Sequence, residues 1–265
     1  MISSNYPRMF AGVALGVLLA VPAAAQQPGS AREESPWSVR LGAVGAYMPD
    51  YEGSDDYEMR ALPDIDIEYG DLFFLRRATL GVNLVNADGF QAGVSVGYHR
   101  GRDENDNRAL RGLGDINAMA MGNLFAQYSL GPLNLSATLS NDVLGDGHDG
   151  TILALTSGYR FAPTERIMLS IGPSLTWASN NYMQTMFGIS DIQAARSGRQ
   201  PYQAKSGLRD AGLTAFGAYK LTDNWMITSI ARYHRLLGDA ADSPLVARDG
   251  SADQFMVGLG LAYDF

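Results

Sequence analysis

The chain of 265 residues contains no cysteine. That excludes a disulfide framework, a thiolate metal site and a cysteine nucleophile. Beyond the N-terminus it also lacks any uncharged apolar run of the roughly 18–20 residues that a membrane-spanning helix needs. Its hydrophobic residues are therefore dispersed. Positive charge is outweighed: the formal charge is -8, and loss of residues 1–25, whose one charged side chain is Arg8, takes -8 to -9. Such a balance argues against a nucleic-acid partner and favours cations or cationic ligands. Histidine is scarce, with 3 in all.

Glycine and aromatic residues are plentiful: 30 Gly, 13 Tyr and 10 Phe, with only 18% charged residues. This composition fits glycine-tolerant strands with aromatic belts at two interfaces. The clearest stretch is the last one, residues 254–265. Successive side chains of a strand point to opposite faces, so Phe255, Val257, Leu259, Leu261, Tyr263 and Phe265 share one face. Gln254, Met256, Gly258, Gly260, Ala262 and Asp264 share the other. A bulky apolar face opposite a small and polar one suits a strand between lipid and the lumen of a barrel. The closing Phe265 resembles the assembly signal of bacterial outer-membrane barrels.

Read in order, residues 1–25 form a signal peptide: Arg8 precedes an apolar run from Met9 to Val21, then small residues Ala23, Ala24 and Ala25 before the expected cleavage at Gln26. Residues 26–36 read as a polar, flexible periplasmic lead-in. Residues 37–265 alternate repeatedly with period two. The segment 71–85 is too long for one strand and is interrupted by Arg76 and Arg77, which splits it into a short hairpin. With that hairpin the count is about twelve strands (10–12), and single-chain bacterial barrels have even counts. The expected fold is thus all-β: a transmembrane antiparallel β-barrel with long extracellular loops and short periplasmic turns. A bulge or break is expected at Pro173, which cannot donate to a ladder. Residues 179–207 form the longest irregular stretch, with a short helix in SDIQAAR.

Several ordered segments then carry a resemblance: PDYEGSDDY after the first strand, RGLGDI, YMQTMFGISDIQAARSG, GDAADSPLV and the terminal AYDF. Together, over essentially the whole mature chain, they are similar to the MipA/OmpV family of outer-membrane proteins. The resemblance implies a Gram-negative outer-membrane barrel in contact with lipid and lipopolysaccharide. It also implies a scaffold role, since the founding member is described as binding a murein lytic transglycosylase and a peptidoglycan synthase. Other members are linked to adhesion, osmotic response or antibiotic susceptibility. The family supplies no catalytic residues.

The residues themselves leave two functions open beside that scaffold. Arg40, His99, Arg160, Arg232, His234 and Asp264 fall on inward rows and are the candidate lumen-lining side chains. They suit a pore for small solutes that the 179–207 loop gates or plugs; extracellular loops also suit an adhesin. His99 and His234 lie near the outer ends of their strands, close enough in level to meet, but no serine pattern accompanies them. They read as lumen histidines paired with other polar groups, not as a catalytic pair. The acidic run Asp50, Glu52, Asp55 and Asp56 lacks the spacing of an EF-hand. The segment GLGD lacks a P-loop lysine. No enzyme, metal or cofactor is expected.

Overall fold

The computed structural model describes residues 35–145 and 147–265. The expected signal peptide and residues 26–34 of the lead-in lie outside the described residues. Twelve strands follow in order: β1 Trp37–Pro49, β2 Tyr57–Tyr69, β3 Phe73–Arg76, β4 Thr79–Ala87, β5 Phe90–His99, β6 Met119–Leu130, β7 Leu133–Asp142, β8 Thr151–Thr164, β9 Ile167–Ala178, β10 Gly207–Lys220, β11 Trp225–Leu236 and β12 Asp253–Asp264. They form one closed barrel in which every strand pairs with its sequence neighbours and β1 closes on β12. The hairpin expected where Arg76 and Arg77 interrupt segment 71–85 is present as β3 and β4.

Alternation dictates this architecture. In β12, Phe255, Val257, Leu259 and Leu261 are exposed, Leu259 to 65%, while Gln254, Met256 and Ala262 are buried. The same reversal of a soluble pattern recurs at Leu135 and Leu139 of β7, Leu155 of β8 and Leu213 of β10. A wall with leucine outside and polar residues inside is stable only in lipid. Aromatic pairs mark the two edges of that band. On the extracellular side Tyr47 stacks on Tyr57 at 5.2 Å and Tyr233 meets Phe255 at 4.9 Å. On the periplasmic side Trp37 meets Tyr69 at 4.8 Å and Trp225 meets Tyr263 at 5.0 Å.

Closure runs from Arg40↔Asp264 to Tyr47↔Val257. Its periplasmic end is sealed by an ion pair of 2.5 Å from Arg40 Nε to Asp264 Oδ1, and Phe265 N–H donates to the Val39 carbonyl. The lumen is polar but partly filled. Phe74 and Phe125 meet edge to face at 5.7 Å, and Met168 and Phe216 pack against Ala218 and Met226.

Three irregularities matter. At Pro173 the β8–β9 ladder skips from Thr156↔Ser174 to Tyr159↔Ile171 with its register unchanged, so the expected disturbance is a break without a bulge. A register shift between Leu208 and Asp210 turns two consecutive side chains of β10, Arg209 and Asp210, into the interior. The third is the four-residue β3, which meets only Asp66–Tyr69 of β2. Its turn is held where Arg77 N–H donates to the Ile65 carbonyl and Tyr98 N–H to the Ala78 carbonyl. Arg77 occupies the left-handed region there, with φ 52.

The short hairpin is seated by a glycine opposite a ring. Phe74 pairs with Gly81, and a Cβ on Gly81 would stand 2.1 Å from Phe74 Cζ. Gly81→Val is expected to expel the ring from its contact with Phe125, at a cost of about 1–3 kcal/mol. Heat-dependent gel mobility of the refolded barrel measures this: the folded band should be lost at lower temperature, and an unchanged midpoint would contradict the seating.

Candidate functional site

The extracellular mouth is covered by chain that folds back over it. The 179–207 segment contains two helices, α1 Asn180–Phe187 and α2 Asp191–Ser197, and the 237–252 segment adds α3 Gly238–Asp242 and α4 Pro244–Ala247. Helix α2 is the helix expected in SDIQAAR. It begins with a capping box of Ser190 and Gln193 and ends at Gly198, whose φ of 73 gives the left-handed cap. Helix α1 was not legible as a helix, yet it supplies Tyr182, Met183, Met186 and Phe187 to a buried cluster with Ile152, Leu236 and Val246. A second cluster joins Tyr51, Leu110, Leu113, Ile189, Ala194 and Leu245, so the loops after β1, β5, β9 and β11 share one core above the lumen.

Arg209 fastens this cap to the wall. Its side chain is fully buried. Nε donates to Asp210 Oδ2 at 2.6 Å and Nη1 donates to the Tyr182 hydroxyl at 2.7 Å. Nη1 also lies 3.3 Å from Glu52 Oε1, and the Tyr182 hydroxyl donates to Glu52 Oε2 at 2.9 Å. Thr176 Oγ1 donates to Asp210 at 3.2 Å. The guanidinium therefore ties the first loop and helix α1 to β10, and Asp210 extends the tie to β9 through Thr176. Two carboxylates, Glu52 and Asp210, surround one buried cation, and each takes further hydrogen bonds, as such burial demands. Burial holds the Tyr182 phenol far above its ordinary pKa, so it remains a donor.

Supporting bonds spread across the mouth. Arg102 Nη1 donates to the Met186 carbonyl at 3.1 Å, and burial lowers its pKa to about 10, which leaves it charged. Arg199 pairs with Asp249 at 2.7 Å and donates to the Ala109 carbonyl. His148, in the loop after β7, is buried with its ring 4.7 Å from Tyr182 and 6.4 Å from His99. Its Nδ1 accepts the Gly150 N–H at 3.0 Å. Burial, and then the neighbouring His99, lower its pKa to about 4, so it is neutral at neutral pH.

The six lumen candidates take different places. Arg40 and Asp264 pair with each other near the periplasmic rim. Arg160 lies on β8, paired across the ladder with Ser170 of β9. Arg232 and His234 are on the inner row of β11, below the cap. His99 meets the ring of His148, not that of His234, as the sequence had suggested for the pair. Sequence reasoning missed Arg209, Tyr182 and Glu52. Glu52 stood out only as part of an acidic run, and strict alternation places Arg209 on the face opposite Asp210 unless a bulge intervenes.

Comparison with known proteins places the fold in context. The family profile described as "MltA-interacting protein MipA" matches residues 41–265. The chain is 28% identical to the "MltA-interacting protein" of Escherichia coli (strain K12) over 262 residues, 96% of this chain and 98% of that protein. It is 25% identical to "Outer membrane protein OmpV" of Vibrio cholerae over 246 residues, 88% of each. Among solved structures, the NanC porin aligns at 12% identity over 85% of this chain and 100% of that chain, with a TM-score of 0.45.

Replacing Arg209 by Met strands Glu52 and Asp210 without their cation. Breaking a buried pair in this way costs about 3–5 kcal/mol. Discrete single-channel steps are expected from the Arg209→Met barrel in a planar bilayer and not from the native one; a silent variant would show that the cap does not depend on this latch. Protonation of His148 provides a second lever. Its folded pKa of about 4 lies below the ordinary value of 6.5, so the cap loses stability as pH falls from 6.5 toward 4 and loses nothing further from this group below that. Hydrogen exchange of the loop amides should accelerate across that window in the native protein, and His148→Asn should flatten the response; an equal response in both would exclude His148.

Proposed function

The chain belongs to the MltA-interacting protein MipA family, and from that membership we propose that it is an outer-membrane scaffold whose periplasmic rim docks a murein lytic transglycosylase. The observation that carries this reading is the packed core of loop side chains over the outer mouth, which Arg209 latches to the wall. The related protein of Escherichia coli is named for its interaction with MltA, which supports the same partner class here. A peptidoglycan synthase is the second client this reading allows. The chain reaches the membrane with a cleavable signal peptide at residues 1–25, and it acts by positioning partners, not by catalysis.

Docking needs about 800 Å² on each partner. Single turns are too small for that, so the partner must span several of them. Exposed side chains there include Leu72, Arg166, Leu221 and Asp223, the last 98% exposed. Phe265 at the adjacent rim is 76% exposed. A second reading, a gated conduit with residues 179–207 as the gate, follows from the latch being ionic and shared among separate loops.

Capture of a purified murein lytic transglycosylase by the barrel in nanodiscs tests the scaffold. The native barrel should retain the enzyme, and combined Leu72→Asp, Arg166→Glu, Leu221→Asp and Asp223→Lys should weaken retention at least about tenfold, near 1.4 kcal/mol. Equal retention by both would move the docking surface elsewhere, and no retention by the native barrel would end the scaffold reading.

A further inference from the structure

The barrel wall has a window. Strands β3 and β4 meet at Arg77 and Ala78, level with Ile65 of β2 and Tyr98 of β5, whereas β2 continues up to Tyr57 and pairs there with β1 alone. Above the hairpin, residues 57–64 of β2 therefore have no strand partner on their second side among the described residues. At the level of the Arg77 turn three strand spacings, about 14 Å, separate β2 from β5, and above it the chain leaving β5 at His99 continues to the Arg102–Ile116 bridge. The window's floor is the Arg77 turn. Its roof is the loop after β5, which Asn107 ties to the loop after β1 through Asp50 at 2.7 Å and Asp56 at 3.0 Å.

The window opens at hydrocarbon depth. Tyr57 belongs to the extracellular aromatic edge and Tyr69 to the periplasmic one, and the open stretch lies below the first of these. Ala61 and Pro63 are level with Gly45 and Ala43 of β1, which pair with Leu259 and Leu261 in the lipid-facing band. An open sheet edge at that depth is tolerated only where it borders a water-filled cavity or is otherwise covered.

The edge is built against one occupant and for another. Because Ile65 turns its carbonyl toward Arg77, alternate residues Pro63, Ala61, Met59 and Tyr57 direct their backbone groups into the window. Pro63 offers no N–H, which blunts the edge against an added strand. The outward side chains are apolar, with Met59 70% exposed. The inward ones are charged and mixed: Arg60 pairs with Glu58 and donates to the Asp50 carbonyl at 2.9 Å, and Arg77 lies 3.4 Å from Asp64. Both members of the lower pair keep some solvent contact, at 21% and 17%. Apolar matter outside and balanced charge inside suit a molecule with a tail and a zwitterionic head. Above the window the loop core covers the mouth.

We infer that the opening between β2 and β5 is a lateral portal that seats a single-chain zwitterionic amphiphile, with its head among Arg60, Asp64 and Arg77 and its tail reaching the outer leaflet.

The absence of cysteine makes the test clean. A bimane fluorophore is placed at Leu62→Cys, on the inward row of β2 beside the window, and in a separate protein at Ser136→Cys, on the inward row of the fully paired β7. Each is reconstituted in unbrominated liposomes and titrated with tail-brominated dodecylphosphocholine. A portal predicts saturable quenching at 62 at least about fivefold greater than at 136, and its loss when Ala61→Trp fills the edge. Liposomes of brominated bilayer lipid, without added amphiphile, form the second arm: quenching at 62 there identifies bilayer lipid as the source, and quenching only in the first arm identifies the free amphiphile. Equal, weak quenching at both positions in both arms overturns the portal. Heat-dependent gel mobility confirms that each labelled barrel is folded before it is scored.

Discussion

In a bilayer no water is available to satisfy a backbone amide, and this constraint governs the molecule from end to end. A sheet can meet it only by closing on itself. The first and last strands therefore have to find each other across more than two hundred residues, and the pairing of β1 with β12 carries the ladder to Phe265 N–H. Arg40 and Asp264 fix that register from inside, where a one-residue slip of either strand would carry its own member of the pair to the lipid face. The apolar outer band and its aromatic edges follow from closure, because a closed wall has one face for lipid and one for everything else.

The interior then poses the opposite problem. Polar groups turned away from lipid need partners or water, and at the extracellular end the chain provides partners from its own loops. Arg209 is the centre of that solution: Tyr182 and Asp210 accept its hydrogen bonds, and Glu52 lies 3.3 Å from its Nη1 and accepts from the Tyr182 hydroxyl. The cap is thus tied to the wall through charge and to itself through apolar packing. The wall departs from full pairing where β3 is short, and the chain marks that place with a proline and charged inward side chains.

Strands were readable because a period of two runs through most of each, and the β3–β4 hairpin was readable because Arg76 and Arg77 interrupt a segment too long for one strand, with strand parity in support. The six inward candidates came from the same period. What period cannot reveal is an exception to itself, so Arg209, turned inward by a bulge, was invisible. Helix α1 was missed because its eight residues are too few to establish a period, and its burial depends on Ile152 and Leu236, which are distant in sequence. His148 sat in a glycine-rich loop that gave no sign of burial. Helix α2 was legible because its cap is local: Ser190, Gln193 and Gly198 lie within one short segment.

The account stands on the loops being a packed core and not a mobile fringe. Amide hydrogen exchange of the native barrel in nanodiscs at neutral pH tests this most directly. Residues 183–187 of helix α1 should be protected to within about tenfold of the flanking strand β9. Exchange at the rate of a free loop would mean that the mouth is open, and the latch at Arg209 would then not hold the cap.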